Sequence, residues 1–294
     1  MFTRVTTTTQ MLNAQRALQL NQQRQAQLYD QATSQKQLTK PSDDPTATAS
    51  ALSVRADQAT TAQYQRNADN GDAWLASTDS ALTGVEAILR RARDLTVQGA
   101  NDGALSPEAK EAIANELDGL KKNLLSLANS TYLGRTVFAG TSDAGVAFQP
   151  DYSYTGAAGS TVERRVGPDT TVRVDADGAA VFGTGSSSVF ALIDDTVSDL
   201  RTGVNVGPRL GQLDERMKAV VGAHAEVGGS QTRIDKAKDT LAVGATSLES
   251  QRAGLEDVDL SRVLLDLKTQ DVNYQTALAV TARVLQPTLM DFLR

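Results

Sequence analysis

Cysteine is absent from this chain of 294 residues, and histidine and tryptophan occur once each, as His224 and Trp74. Without cysteine the chain can form no disulfide and no thiolate-ligated zinc or iron–sulfur site. A single histidine cannot supply the two histidines of an H-E-x-x-H metal hydrolase. These absences exclude several common classes of enzyme, and we predict no catalytic residue, no metal site and no cofactor.

Aromatic residues are also scarce, at 4% of the chain, although 40% of its residues are hydrophobic. The apolar residues are therefore mostly alanine, valine and leucine, which suit closely packed helices better than a bulky globular core. The formal net charge is -6, whereas surfaces that bind nucleic acid are usually basic. We therefore expect no nucleic-acid partner.

Long apolar runs are missing as well. No stretch approaches the roughly 20 apolar residues of a membrane-spanning helix, and we expect no membrane insertion. The first residues, "MFTRVTTTTQMLNAQRALQL", lack the apolar region of a cleaved secretory signal. If the protein leaves the cytoplasm, we expect it to do so without a cleaved signal peptide.

Helical periodicity is present, and it is clearest near the C-terminus. Apolar residues recur there at alternating steps of four and three, which is the pattern of a coiled-coil seam. The predicted seam comprises Leu260, Leu264, Leu267, Tyr274, Leu278, Leu285 and Phe292, interrupted by the polar Asp271, Thr281 and Thr288. Since no glycine or proline occurs from Leu255 to Gln286, we predict one continuous helix of roughly 48 Å there.

The first 40 residues carry a sparser seam, with Met11, Leu18 and Leu28 at spacings related to seven. Such a helix is marginal in isolation. Residues 1–40 contain five basic residues and one acidic residue, whereas residues 255–294 contain four basic and six acidic ones. We therefore predict that residues 1–42 form a helix that pairs antiparallel with residues 255–294, as an inner coiled-coil domain.

The segment "KQLTKPSDDPTATASAL" interrupts the helical pattern at residues 36–52. Proline cannot continue a helix but is tolerated in its first turn. We predict that Pro41 stops the first helix, that Asp44 and Pro45 start the next, and that both Asp43 and Asp44 are helix caps. The alternative is a carboxylate pair for acid–base catalysis or metal binding, but adjacent side chains point in different directions.

The middle of the chain contains two kinds of segment. Residues 43–140 and 188–254 show helical spacing and predict an α-helical core domain. Residues 141–187 are rich in glycine, serine, threonine and valine, with alternating runs such as "TVERRV" and "TTVRV", and predict a small β-rich exposed insert. The predicted fold is mainly α, a long-helix bundle with terminal coiled-coil helices and this insert.

Three short motifs could suggest chemistry. "DADG" at residues 175–178 is similar to the start of a calcium loop but has its glycine at the wrong position, and we interpret it as a turn. Asn129 begins a glycosylation triplet at what we predict to be a helix end. His224 lies on a predicted helix, where a packing or surface role is the simplest interpretation.

Two long stretches together resemble the bacterial flagellin superfamily. "KPSDDPTATASAL" with "QRNADNGDAWLASTDSALTGVEAILRRARDLTVQGAND" is similar to its N-terminal half, and "EDVDLSRVLLDLKTQDVNYQTALAVTARVLQPTLMDFLR" to its C-terminal half. "PSDDP", "YLGRTVFAGT" and the short insert resemble the flagellar hook-associated, hook-filament junction proteins of the FlgL type. Gln35 stands where the family pattern commonly has a glycine.

The resemblance implies a structural flagellar subunit without enzymatic activity or cofactor. It implies four partners: a ring of like subunits, a neighbouring hook-associated junction protein, flagellin on the filament side, and a cytoplasmic export chaperone. The chaperone would bind the C-terminal region. The protein would be extracellular and exported by the flagellar type III apparatus. Two alternatives remain, namely a flagellin filament subunit and, more distantly, a ligand-binding or enzymatic module in the β insert.

Overall fold

The computed structural model describes residues 7–101, 105–157 and 159–284. These residues form the helices α1 (Thr7–Ser34), α2 (Pro45–Gly99), α3 (Pro107–Ala128), α4 (Gly178–Phe182), α5 (Val189–Thr202), α6 (Arg209–Glu256) and α7 (Leu260–Val284). Two antiparallel strand pairs join β1 (Thr131–Tyr132) to β2 (Arg135–Thr136), and β3 (Glu163–Arg165) to β4 (Thr171–Arg173). The predicted mainly α fold is confirmed.

The chain divides into two compact units. Residues 1–59 and 245–294 belong to one, here called the terminal unit, and residues 60–244 form the other, here called the body unit. The long helices α2 and α6 each contribute residues to both. The predicted division into an inner coiled-coil domain, a helical core domain and an exposed insert describes positions in an assembly. This division stays a prediction.

The core of the body unit is built on the apolar stripe of α2. Trp74, Leu75, Leu82, Val85 and Leu89 recur at helical spacing, and each is at most 2% exposed. The helices α3 and α5 contact each other along this core. Helix α3 starts at Pro107, and the Ser106 side chain caps it by accepting a hydrogen bond from the Ala109 N–H.

The segment 141–187 contributes aromatic side chains to the core of the body unit. Phe148 and Phe182 from this segment pack with Phe138 and Phe190, which lie on either side of it, and all four rings are at most 1% exposed. Ring centroids in this cluster lie 5.2–5.8 Å apart. Four of the six phenylalanines therefore lie in this cluster, and two of them anchor the segment to the core.

The alternating runs form strands, but the strands are short. β3 and β4 are paired from Glu163 with Arg173 to Arg165 with Thr171, three residues on each side. Many of the remaining backbone N–H and C=O groups of this segment form hydrogen bonds in turns or with side chains. For example, Asp175 is buried, and its carboxylate accepts a hydrogen bond from the Val162 N–H at 2.8 Å.

Candidate assembly surface and helix joint

Helices α1 and α7 pack against each other. Partly buried positions on α1 recur at steps of four and three, at Ala14, Leu18, Asn21, Gln25, Leu28 and Ala32. The matching face of α7 comprises Val263, Leu267, Gln270, Tyr274, Ala277 and Thr281. Both sets have the heptad period of a coiled coil. We call the two sets together the seam.

The centre of the seam is polar and hydrogen-bonded. The Gln270 Nε2 donates to the carbonyl oxygen and to Oδ1 of Asn21, at 3.2 and 3.1 Å. One turn along α1, the Gln25 amide donates to the Asp271 carboxylate. Polar groups at core positions of a coiled coil fix its register at some cost in stability. These four side chains therefore fix the antiparallel register of α1 on α7.

The predicted C-terminal seam has the right period, but only part of it faces α1. Leu267 and Tyr274 lie in the seam, whereas Leu260, Leu264 and Leu278 are 39%, 57% and 43% exposed. The predicted phase was therefore wrong for Leu264 and Leu278 as contacts of α1. Leu260, seven residues before Leu267, keeps the seam register but is exposed as the first residue of α7. A sequence period alone does not choose between two adjacent stripes when both contain leucine.

The remaining residues of the predicted seam differ in their burial. Leu18 and Leu28 lie in the seam on α1. Met11 continues the same register toward the N-terminus, but it is 42% exposed. Leu285 and Phe292 lie outside the described residues.

Apolar side chains are left uncovered on both helices of the pair. On α1 and α7, Met11, Leu12, Leu20, Tyr29, Leu260, Leu264, Leu265, Val272, Leu278 and Val280 are between 39% and 68% exposed. Contiguous exposed apolar surface is uncommon on proteins that act alone and usually marks an interaction site. The terminal pair therefore presents apolar surface beyond what its own seam buries.

Helix α1 ends before the prolines. Its last residue is Ser34, and Gln35 then has a φ of 57°. This left-handed conformation is common directly after a helix, where glycine is preferred. Pro41 was wrongly predicted to stop α1, because the chain has already left the helix at Gln35.

Asp43 and Asp44 have different roles. The Asp44 Oδ1 accepts hydrogen bonds from the Thr46 and Ala47 N–H groups at 3.0 and 2.9 Å, and Pro45 is the first residue of α2. This is N-cap geometry. The Asp43 carboxylate instead accepts from the Lys40 N–H at 2.8 Å and from Thr39.

Asp43 is therefore not a helix cap, which corrects the prediction. It closes the turn that precedes the Asp44 cap. The hydrogen bond from the Lys40 N–H, followed by that from the Thr39 hydroxyl, lowers the pKa of the Asp43 carboxyl.

A second break, which the sequence did not predict, separates α6 from α7. The Val258 N–H donates to the Gln35 carbonyl at 3.1 Å, and the Gln37 N–H donates to the Glu256 carbonyl at 2.7 Å. Asp259 then caps α7 by accepting from the Ser261 N–H at 2.9 Å. The prediction of one helix from Leu255 to Gln286 was therefore wrong. The only local signal was Asp259, a good N-cap residue.

A buried carboxylate fixes this second break to α2. Glu256 is 3% exposed, and its Oε2 accepts hydrogen bonds from Arg55 at 2.7 Å and from Arg252 at 3.4 Å. The hydrogen bond from Arg55 outweighs the effect of burial and lowers the pKa of the Glu256 carboxyl. We call residues 35–44 and 256–259 together the helix joint.

The motifs that could suggest chemistry are occupied by structural contacts. The Asn129 Nδ2 donates to the Phe148 carbonyl at 2.9 Å, and its Oδ1 accepts from the Ala147 N–H at 2.8 Å, so the amide is not free for glycosylation. In "DADG", the Asp177 side chain caps α4. Across the described ranges, no group of three or more histidine or acidic side chains is arranged to hold a metal ion.

None of the described helices combines the length and the hydrophobicity that a membrane crossing needs.

Two family models match the chain at its two ends. The bacterial flagellin N-terminal helical region matches residues 5–143, and the bacterial flagellin C-terminal helical region matches residues 210–293. Together they span 223 of the 294 residues. The chain belongs to the bacterial flagellin family. This confirms the superfamily resemblance seen in the sequence.

Individual members of the flagellin family align over most of the chain. The flagellar hook-associated protein 3 of Salmonella typhimurium is 26% identical over 85% of this chain and 87% of its own length. The flagellin of Bacillus subtilis is 24% identical over 75% of this chain and 76% of its own. A flagellar hook-associated protein of Vibrio parahaemolyticus shares the fold, with a TM-score of 0.68 at 23% identity, over 73% of this chain and all of the other.

Proposed function

We propose that this flagellin-family protein is the structural subunit of the hook-filament junction, where it links the hook-associated layer to the flagellin filament and templates filament assembly. The observation that carries this proposal is the alignment with a hook-associated protein 3 over 85% of this chain and 87% of the other. The extent of that alignment indicates that the chain has the same overall plan.

The terminal pair supports a role in assembly. The seam of α1 and α7 buries only part of each helix and leaves leucines such as Leu264 and Leu265 more than half exposed. In a ring of like subunits, neighbouring copies would cover these side chains and add the burial that a thin coiled coil lacks. The terminal helices would then form the inner contacts, and residues 43–140 and 188–254 the outer wall.

The remaining partners follow from the same role. A hook-associated protein would contact the subunit on the hook side and flagellin on the filament side. An export chaperone would capture the apolar stripe of the C-terminal helix before assembly, in the manner of a helix in a groove. The protein would reach the cell exterior through the flagellar type III apparatus, and residues 141–187 would face outward.

A gene deletion tests the role directly. If the protein is the junction subunit, cells without it should keep their hooks, lose their filaments and release flagellin into the medium. Filaments that form normally without the gene would contradict the proposal.

A pair of substitutions tests the surface. Leu265→Ser, at a position 68% exposed, should leave the helical circular dichroism and the melting temperature unchanged but abolish complementation of the deletion. Leu133→Ser is the matched control, because Leu133 is 78% exposed in the body unit. Full complementation by Leu265→Ser would show that the exposed Leu265 side chain is not an assembly contact.

A filament subunit is the second candidate, because the chain also aligns with a flagellin. The two functions differ in self-assembly. Purified flagellin should polymerise alone into long filaments, whereas a junction subunit should only cap hooks and support the growth of another protein. Electron microscopy of the purified protein, alone and with flagellin, distinguishes them.

A further inference from the structure

His224 occupies a position on the core-facing side of α6. Val220 and Val227, one turn before and after it, are 1% and 3% exposed and belong to the body core. The His224 side chain is itself 30% exposed and therefore lies at the edge of this core.

Both nitrogens of the ring meet a carboxylate on α2. The His224 Nδ1 lies 2.7 Å from the Glu86 Oε1, and the Nε2 lies 2.8 Å from the Asp79 Oδ1. Asp79 and Glu86 are seven residues apart and therefore lie on one face of α2. Because ionised carboxylates only accept hydrogen bonds, both ring nitrogens have to donate, which requires the imidazolium form.

The surrounding charges favour this form. The hydrogen bond to Glu86 outweighs partial burial and, together with that to Asp79, raises the pKa of His224. Behind Glu86, the Arg90 guanidinium donates to the other carboxylate oxygen at 2.5 Å, and its positive charge opposes part of this effect. On α6 itself, the flanking Val220 and Val227 are uncharged.

The bridge lies where α6 is intrinsically weak. Gly222, Gly228 and Gly229 surround His224 within the helix, and a Cβ added at any of them would meet nothing within 4 Å. At Gly99 on α2, in contrast, an added Cβ would lie 2.7 Å from a Leu200 methyl group. These glycines therefore lower the helix propensity of α6 without a packing reason among the residues that the structure describes.

We propose that His224 forms an imidazolium bridge between Asp79 and Glu86, and that this bridge makes the packing of residues 220–230 on α2 dependent on pH. Because protonation is favoured in the folded state, the stabilisation is fully present below the ordinary histidine pKa. It is lost as pH rises through the pKa of His224 in the folded protein. The neutral ring would place a lone pair against one carboxylate, so one contact would turn repulsive.

Proton NMR of the full chain without a histidine tag tests the protonation state. Since His224 is the only histidine, one Hε1 signal reports it. The titration midpoint should lie above the ordinary value of 6.5, and Asp79→Asn and Glu86→Gln should each lower it. A wild-type midpoint at or below 6.5, or a midpoint that neither substitution changes, would overturn the proposal.

Hydrogen exchange tests the consequence for packing. At about pH 6, the amides of residues 220–230 should exchange more slowly in the wild type than in His224→Gln, and this difference should vanish at about pH 9. Amides of α3 serve as the internal reference. An equal difference at both values, or none at either, would refute the pH-dependent bridge. If His224→Gln does not fold, the wild-type NMR titration still decides.

Discussion

The body unit and the terminal unit are both built from helices with apolar stripes, but they bury those stripes to very different extents. The body unit encloses a continuous core in which whole phenylalanine rings are at most 1% exposed. Among the α1 side chains that the structure describes, none is fully buried. The same helical period therefore produces an enclosed core in one unit and a largely exposed apolar surface in the other.

The largest expected effect lies in the aromatic cluster. Phe182 contacts three other rings, and Phe182→Ala should lower the free energy of unfolding by about 3–5 kcal/mol through lost burial and a residual cavity. Urea unfolding followed by the fluorescence of Trp74, the only tryptophan, measures it. Leu20→Ala, at a position 66% exposed on α1, should change the free energy of unfolding little. Similar losses of stability in both variants would contradict the difference in burial between the two units.

The buried carboxylate of the joint comes next. Glu256→Gln removes charge-assisted hydrogen bonds and should destabilise the terminal unit by about 1.5 kcal/mol at neutral pH. Because the pKa of Glu256 is lowered in the folded state, this stabilisation is present above the ordinary carboxyl pKa of 4.5. It should be lost as pH falls through the lowered pKa.

Thermal melts followed by circular dichroism at several pH values measure the difference between the wild type and Glu256→Gln. Glu249→Gln is the control, because Glu249 also pairs with Arg252 but is mostly exposed. A difference that persists unchanged into acid would show that the Glu256 charge is not the cause.

The cap of α2 should contribute less. Asp44→Ala removes two hydrogen bonds to backbone N–H groups and should cost about 1 kcal/mol. Amide exchange in the first turn of α2 should accelerate accordingly. In Asp43→Ala the Thr46 and Ala47 amides should stay protected, since Asp43 bonds backward to Lys40. Equal effects of the two substitutions on those amides would contradict this division of roles.

The smallest effect has the opposite sign. Gln35→Gly places glycine at a left-handed position and should stabilise the joint by about 0.5 kcal/mol, as relief of strain exceeds the added chain entropy. Gln37→Gly provides the comparison, because Gln37 has no positive φ and should only lose stability. The melting temperatures of both variants decide whether the joint carries this strain.

The sequence predicts the helices well because their periodicity is local information. Leu75, Leu82 and Leu89 repeat every two turns, and they lie on the only apolar stripe of that part of α2. The spacing therefore predicts both the helix and the face that is buried. On α7, Leu264 and Leu278 are fourteen residues apart and lie on a second stripe beside the seam. The position of α1 decides which of the two stripes is covered. Which stripe is covered is decided by tertiary contacts, and the residue spacing of a single helix does not predict those contacts.

The break at Asp257–Asp259 was unpredictable for a similar reason. Neither glycine nor proline interrupts the helix there, and the interruption is held by hydrogen bonds to Gln35 and Gln37. Asp43 likewise looks like a cap in the sequence, and only the position of the Lys40 amide shows that it closes a turn. The pairing of His224 with two carboxylates is also non-local, since 138 and 145 positions separate it from Glu86 and Asp79.

The antiparallel seam has a consequence for the order of folding. Its central hydrogen bond joins Asn21 to Gln270, which are 249 positions apart in the chain. Closing a loop of that length early would cost much entropy for few contacts. Within the body unit, Lys238 already bonds to Asp69 and Asp72, so folding of that unit shortens the loop that remains to be closed. The terminal helices should therefore pair last during folding and separate first during unfolding.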